Sequence, residues 1–536
     1  MMASPVDSDF TNVPSPLYHL FLKAQSVYPG APAVRAGNEC LTYKELNDQV
    51  VARSMALISK HPHVEYVGIS CTRNLDMIIN LLAILRAGKA YLPLDLNLPI
   101  ARLKQVVSDS NLQICLAVED ERQFFEELGL QIIVSSQDYQ QAVVVNSVQS
   151  LIGYVLYTSG STGTPKGVCM GQAALANLLQ WQEESSIAKS STHTLQFAPL
   201  TFDVSFQEIF STLTTGGTLF LIGDDLRLDP YRLLQFINEH KINRLFLPFV
   251  ALQNLAEVAV ANAVFPPSLA EIMTAGEQLK ITPHVVRFFS GLNNCVLYNQ
   301  YGPTEAHVVT QLKLEGDPQL WKPLPSIGTA IKNTEILILD EALKEVEAGV
   351  AGELCISGLC LAEGYVNDTD RTKEKFPQWQ HPKKGRTKIY RTGDIARKLP
   401  GDTIEFLGRK DDQVKIRGYR IEPGEIEVLL NGVEGVQQAI VVAKDTAGDQ
   451  KKLVAYLVAP EAGRNTLKAR THLEKALPPY MIPSEFIWLD QMPKTASGKI
   501  DKKALPEPQH KRPDLPVNYI APVTDTERSL SIIWSQ

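Results

Sequence analysis

Several features that would each set a function class are missing from this chain. Its seven cysteines are scattered over 536 residues, and none of Cys40, Cys71, Cys115, Cys169, Cys295, Cys355 and Cys360 belongs to a C-x-x-C pair. They read as small buried hydrophobes of a reducing compartment, not as zinc ligands or a disulfide framework. The opening run MMASPVDSDFTNVPSP lacks both the basic segment and the apolar run of a secretion signal. No apolar stretch approaches the ~20 residues that a membrane-spanning helix needs. Formal net charge is −7, and there is no basic stripe with interleaved aromatics, which argues against nucleic acid as a partner. A cytoplasmic protein with no membrane contact is expected. The phosphate-binding spacing G-x-x-x-x-G-K-[ST] is also missing.

What is present is a long globular chain, 44% hydrophobic and 21% charged, enough for two or more domains. Its most informative stretch is residues 157–167, YTSGSTGTPKG, with five Ser or Thr hydroxyls, three glycines and Lys166 directly behind an apolar, strand-like run. A strand ending in such a loop leaves backbone N–H groups close together and unpaired, a suitable environment for phosphate oxygens. Ser, Thr and Gly also dominate ordinary surface turns, so the loop alone leaves both readings open.

Apolar runs alternating with helical periodicity argue for parallel or mixed sheets covered by helices. Strands are expected to end near Tyr157, Leu247, Met273 and Tyr298, with their following loops along one cleft, because ligands collect at strand ends in open α/β sheets. From about residue 320 to 408 the pattern changes to short strands and tight turns, which suggests a distorted barrel or small antiparallel sheet. The fold class is therefore α/β: a large N-terminal domain over residues 1–409, a small α+β lid over 410–510, and a tail over 511–536.

Nine motifs then occur in order: LTYKEL, RAGKAYLPLD, YTSGSTGTPKG, FDVSFQEIF, NQYGPTE, GELCISG, YRTGD, GRKDDQVKIRGYRIEPGEIE and PKTASGKID. Together they resemble the adenylate-forming superfamily, and within it the amino-acid adenylation domains of nonribosomal peptide synthetases. The resemblance covers nearly the whole chain and implies ATP and Mg²⁺ as cofactors. A carboxylate attacks the α-phosphate of ATP, pyrophosphate leaves, and the acyl group passes to the phosphopantetheine thiol of a carrier protein.

By motif position, the resemblance implies that Lys499 reaches the substrate carboxylate and the α-phosphate. Lys166 then orients the β- and γ-phosphates within a loop of Thr158, Ser159, Gly160, Ser161, Thr162, Gly163 and Thr164. Thr304 holds the α-phosphate, and Glu305 is the Mg²⁺ ligand; one carboxylate suffices, since Mg²⁺ keeps waters and takes phosphate oxygens. Asn299 and Tyr301 flank adenine, Asp394 binds the ribose hydroxyls with support from Arg409, and Asp411 is the hinge about which the mobile lid rotates.

In the resembling domains the aspartate at position 203 pairs with the α-ammonium of an amino acid. Such a carboxylate is costly in a pocket for fatty or aryl acids, which offer it no partner. The rest of the pocket maps onto Val204, Gln207, Phe246, Met273, Ala275, Gln300, Val308 and Val309. None is charged, so a small or medium apolar side chain is expected. With Lys499 last, the set resembles the signature of proline-activating domains, departing from it at Met273 and Gln300. One methylene is worth only ~1–3 kcal/mol of discrimination, so methylproline, pipecolate and valine stay close alternatives. The implied protein resembles the free-standing, monomeric proline-activating enzymes of pyrrole and cyanobacterial anatoxin pathways, loading a carrier protein in trans. An acyl-coenzyme A ligase, or an adenylation fragment of a longer synthetase, is the alternative.

Overall fold

The computed structural model describes residues 15–134, 149–160, 163–445, 451–494, 500–508 and 521–535. The chain divides into two compact units, Met1–Glu422 and Pro423–Gln536. In the first, the expected α/β alternation builds two large sheets, one of nine and one of seven strands, and the 320–408 region builds a third of five.

The nine-stranded sheet is parallel through its centre. Arg244–Leu247, Glu271–Thr274 and Val296–Tyr301 run side by side with Leu247 opposite Thr274 and Thr274 opposite Asn299. Their C-terminal ends are thus level, and the segments that follow emerge along one edge. The seven-stranded sheet carries the hairpin Ile152–Thr158 and Lys166–Gly171, in which Thr158 pairs with Lys166. The third sheet is wholly antiparallel and built around the long strand Gly385–Lys398, giving the curled half-barrel that the short-strand pattern implied.

A shared apolar core ties the three sheets together. Val34 and Leu219 of the first, Val67 and Leu156 of the second, and Ile336 and Leu354 of the third belong to one buried cluster. The helix Leu75–Arg86 contributes to it and is buried without interruption from Met77 to Leu85, its one polar side chain in that run, Asn80, accepting from Arg53 at 2.6 Å. Asn74 starts that helix by accepting the Met77 N–H at 2.9 Å.

The second unit is α+β. Gln438–Asp445 pairs antiparallel with Lys451–Val458, which pairs parallel with Glu485–Leu489. Pro423 opens the helix Pro423–Asn431, and Glu427 of that helix accepts the Val441 N–H at 2.9 Å. No helix among the described residues is long and apolar enough to cross a membrane.

Candidate active site

The strand Val296–Tyr301 organises the site. The polar run NQY reads as loop in the sequence, yet all three residues are on the strand. The antiparallel neighbour Thr310–Leu314 pairs Asn299 with Leu312, Gln300 with Gln311 and Tyr301 with Thr310. Side chains alternate across a strand, so Asn299 and Tyr301 share one face and Tyr298 and Gln300 the other. Asn299 donates to the Ser326 carbonyl at 2.8 Å, and the Tyr301 hydroxyl donates to Asp394. Burial, reinforced by the Asp394 charge, holds the Tyr301 hydroxyl well above the ordinary tyrosine range.

Asp394 is held by a second donor as well. Arg409 gives one nitrogen to Asp394 and two others to Asp411, at 2.6 and 2.7 Å. One guanidinium is therefore divided between the two carboxylates. Gly393 makes room for it: a Cβ there would stand 3.0 Å from the Arg409 Nη2 and 3.3 Å from Asp411.

Glu305 is the centre of a buried charge cluster. It has no exposed surface, and it accepts from Lys166 at 3.0 Å, from Tyr365 at 2.9 Å and from Arg420 at 2.7 Å. Burial opposes its ionisation, but Arg420 and Lys166 outweigh it and hold the carboxyl well below its ordinary range. Lys166 moves the other way. Burial and the neighbouring Arg420 bring it down to about 8, against the pull of Glu305. It begins a strand and lies over the Tyr365 ring, 5.2 Å from the centroid. Thr304 is half-buried beside Glu305.

The phosphate loop joins Thr158 to Lys166 across the hairpin. The Ser159 hydroxyl donates to the Arg420 carbonyl at 2.7 Å, and the Thr158 hydroxyl is buried with no partner among the described residues. A Cβ at Gly160 would fall 2.0 Å from the Thr164 carbonyl oxygen, and Gly163 has φ +85°. Only glycine fits this backbone path, and it brings the Gly163 N–H to 3.1 Å from the Gly160 carbonyl. Ser161, Thr162 and Lys499 lie outside the described residues.

Asp203 is the first residue of the helix Asp203–Leu213, with Phe202 as its N-cap. Its Oδ1 accepts the Val204 N–H at 2.8 Å, near the positive end of the helix dipole. Glu208, buried on the same helix and pushed up to about 8 by that burial, accepts from the N–H groups of Phe197 and Ala198 at 3.1 and 3.0 Å. It thereby anchors the segment leading to Asp203. His307 donates from Nε2 to the Asp203 carbonyl at 2.9 Å and accepts the Val308 N–H at Nδ1. These bonds fix its tautomer, and burial lowers its pKa.

One turn along that helix is Gln207, fully buried and on the same face as Asp203. Its Nε2 donates to Gln182 at 2.6 Å and to Gln300 at 3.1 Å, and Gln300 donates to Gln311 at 2.8 Å. The Gln207 Oε1 is buried and unpaired among the described residues. Phe246 and Met273 face each other on neighbouring strands and pack with Tyr298 and Val204. Val308 and Val309 are buried, and Ala275 follows its strand half-buried.

The structure thus brings together Lys166 and Glu305; Tyr301, Asp394, Arg409 and Asp411; and Gln207 with Gln300. Arg420, Tyr365, Gln182, Gln311 and His307 do not stand out in the sequence. Arg420 lies in the GYRIEPGE motif, which was the available signal, but the amides carry none.

The hairpin that carries the glycine loop also carries Lys166 of the buried lysine–glutamate pair. The chain belongs to the AMP-binding enzyme family, which matches residues 21–366, and the C-terminal domain of AMP-binding enzymes matches residues 425–499. This is the adenylate-forming superfamily that includes the nonribosomal peptide synthetase adenylation domains. Tyrocidine synthase 2 of Brevibacillus parabrevis is 36% identical over 526 residues, 97% of this chain and 14% of that protein. Gramicidin S synthase 2 of Brevibacillus brevis is 37% identical over 528 residues, 97% of this chain and 12% of that protein. The chain therefore spans only a small part of the length of these relatives. Among solved structures, PA1221, an NRPS protein containing adenylation and PCP domains, matches with a TM-score of 0.80 at 27% identity, covering 93% of this chain and 85% of that one. The Vibrio cholerae adenylation domain AlmE, in complex with glycyl-adenosine-5'-phosphate, shares the fold with a TM-score of 0.78 at 22% identity, covering 93% of this chain and 98% of that one.

Proposed function

We propose that the chain activates L-proline, or a close cyclic or small apolar amino acid, to its aminoacyl-AMP, and then passes the acyl group to the phosphopantetheine thiol of a carrier protein in trans. The observation that carries this is the pairing on one helical turn of a half-buried carboxylate, Asp203, with a buried amide whose oxygen lacks a partner among the described residues, Gln207. A substrate ammonium supplies the charge for the first and an N–H for the second. The other lining residues are uncharged, which disfavours acidic and basic side chains. The synthetase relatives and the PCP-bearing PA1221 support the carrier thiol as acceptor.

In this mechanism a carboxylate oxygen of the amino acid bonds to the α-phosphorus as the bond to the β-phosphate oxygen breaks. Negative charge develops on the phosphoryl oxygens and needs fixed positive charge. Lys166 is assigned the β- and γ-phosphates, Lys499 the α-phosphate and carboxylate, and Thr304 the α-phosphate. Asn299 and Tyr301 are assigned to adenine, Asp394 with Arg409 to the ribose diol, and Asp411 to the hinge. Glu305 is assigned to Mg²⁺ as a single ionised carboxylate, with phosphate and water oxygens completing about six ligands; both its oxygens accept from Lys166, Tyr365 and Arg420 here, so one of these donors would have to give way to the ion. Bound there, the ion supplies Lewis-acid polarisation of phosphoryl oxygen.

Amino-acid-dependent exchange of labelled pyrophosphate into ATP tests this, with proline, pipecolate, valine, leucine and a charged amino acid compared at equal concentration. Proline is expected to lead. A charged winner refutes the pocket assignment, and if no amino acid supports exchange the acyl-coenzyme A ligase or a noncatalytic module moves ahead.

A further inference from the structure

The donors to Glu305 divide between its two oxygens. Lys166 and Tyr365 reach Oε1 at 3.0 and 2.9 Å, whereas Oε2 accepts from Arg420, at 2.7 Å. The first two are fixed in a large sheet: Lys166 begins the strand Lys166–Gly171, which pairs with Ile152–Thr158 on one side and with Gly364–Tyr365 on the other. Arg420 stands on the hairpin of Val414–Ile416 and Tyr419–Ile421, a ribbon of two strands that pairs with no further strand among the described residues. Such a ribbon is marginally stable by itself. It is held in place by what its turn and side chains touch.

The turn is tight, with Arg417 at φ 53° and Gly418 at φ 82°. Gly418 donates its N–H to Glu277 at 2.9 Å, and the Tyr419 ring meets Phe202, the neighbour of Asp203, edge-on at 4.8 Å between centroids. Arg420 makes two contacts at once. Its guanidinium holds Glu305 Oε2, and its backbone carbonyl accepts the Ser159 hydroxyl at 2.7 Å. The first is an oxygen assigned to the ion, and the second a donor of the loop assigned to phosphate. Meanwhile the Arg420 Nε is buried without a partner among the described residues, so the docked arginine is incompletely satisfied.

We propose that Arg420 is a positioning residue that competes with Mg²⁺ for Glu305 Oε2, so that the hairpin docked on the strand ends and the ion held at Glu305 exclude each other. The inference rests on the adenylation reading for the identity of the ion. A divalent ion brought against an oxygen that already holds a guanidinium sets like charges side by side in a buried site, which is strongly repulsive. When Arg420 leaves, Oε2 and the Ser159 hydroxyl are released together, one for the ion and one for phosphate, while Lys166 and Tyr365 keep Glu305 in place. When Arg420 returns, it restores a positive partner to a carboxylate that has no exposed surface.

The test is calorimetric titration of the full 536-residue chain with Mg·ATP and, in chelator, with metal-free ATP, no amino acid being present. Arg420→Ala is expected to bind Mg·ATP about tenfold more tightly than the wild type, because one charge-assisted contact of the competing form is lost, and to change less toward metal-free ATP. Tyr419→Ala leaves every charge in place and weakens only the docked hairpin; it is expected to bind Mg·ATP about fivefold more tightly, since more of the chain is then competent for the ion. Coupling is reciprocal, so Mg·ATP should lower the hydrogen-exchange protection of the Gly418 amide in the wild type. A fall in Mg·ATP affinity in Arg420→Ala overturns the proposal by making Arg420 a phosphate ligand. Unchanged affinity in Tyr419→Ala, or unchanged protection at Gly418, overturns it as well, and Tyr419→Ala keeps the test decisive if Arg420→Ala fails to fold. A wild-type chain that binds neither form of ATP refutes the nucleotide reading itself, whereas one that binds both, with unchanged variants, refutes the competition alone.

Discussion

Replacing Glu305 by Gln keeps the volume of the side chain and removes the charge on which two buried cations converge, Lys166 at 3.0 Å and Arg420 at 2.7 Å. Breaking a buried ion pair by removing one partner costs ~3–5 kcal/mol, because the other charge stays desolvated. Arg420 has no neutral form to fall back on. Lys166 has: it is already down at about 8, and losing Glu305 removes a charge that holds it up, so in the variant it sheds its proton more readily. Part of the cost is thereby relieved, which places the expected loss near ~3 kcal/mol around neutral pH. The sign of the pH dependence follows from linkage. A lysine whose folded pKa lies below its ordinary 10.5 lets stability rise with pH between the two values, since the unfolded chain binds the extra proton there. In Glu305→Gln that rise starts at lower pH than in the wild type, so the deficit narrows as pH approaches about 8. Urea unfolding of both proteins across this range, followed by tryptophan fluorescence, measures it. A loss below ~1 kcal/mol, or a deficit independent of pH, would refute the buried-cluster account.

Two further outcomes are expected. The kcat/KM of the exchange reaction, which reports groups of the free enzyme, should fall as pH rises through about 8 and Lys166 loses its proton; in Lys166→Arg that limb should move upward, because guanidinium stays charged. A limb at the same pH in both would acquit Lys166. Asp203→Asn should raise the KM for the amino acid by about a hundredfold, equivalent to ~3 kcal/mol for an unmatched ammonium, with ATP affinity by calorimetry as the control for misfolding. An amino-acid KM within a factor of about two of the wild type would remove Asp203 from amine recognition.

Much of the architecture is legible because parallel strands buried on both faces leave apolar runs, as at Ile114–Ala117 and at Leu245 to Leu247 of the next sheet. Polar strands break that rule. Asn299, Gln300 and Tyr301 look like loop until the backbone partners offered by Thr310–Leu314 are counted. The pairing of Arg420 with Glu305 spans 115 positions, and no local pattern announces a contact of that separation. The glutamine chain from Gln182 through Gln207 and Gln300 to Gln311 is equally silent, since each amide is unremarkable until separate helices and strands converge. Motif resemblance located the positions, and only the packing shows which of them share a partner.

The pleat of Val296–Tyr301 has one more effect. If nucleotide and amino acid read opposite faces of the same strand, their spacing is set by a backbone repeat of ~3.3 Å per residue and not by the reach of any loop. The strand then acts as a ruler graduated in single residues, with Asn299 and Tyr301 marking one ligand and Gln300 the other. Substitutions can change what each mark recognises without moving the marks. An insertion or deletion of one residue would exchange the two faces, sending amide and phenol to the wrong ligands together. Variation in substrate choice is therefore open to this strand by replacement of side chains and closed to it by change of length.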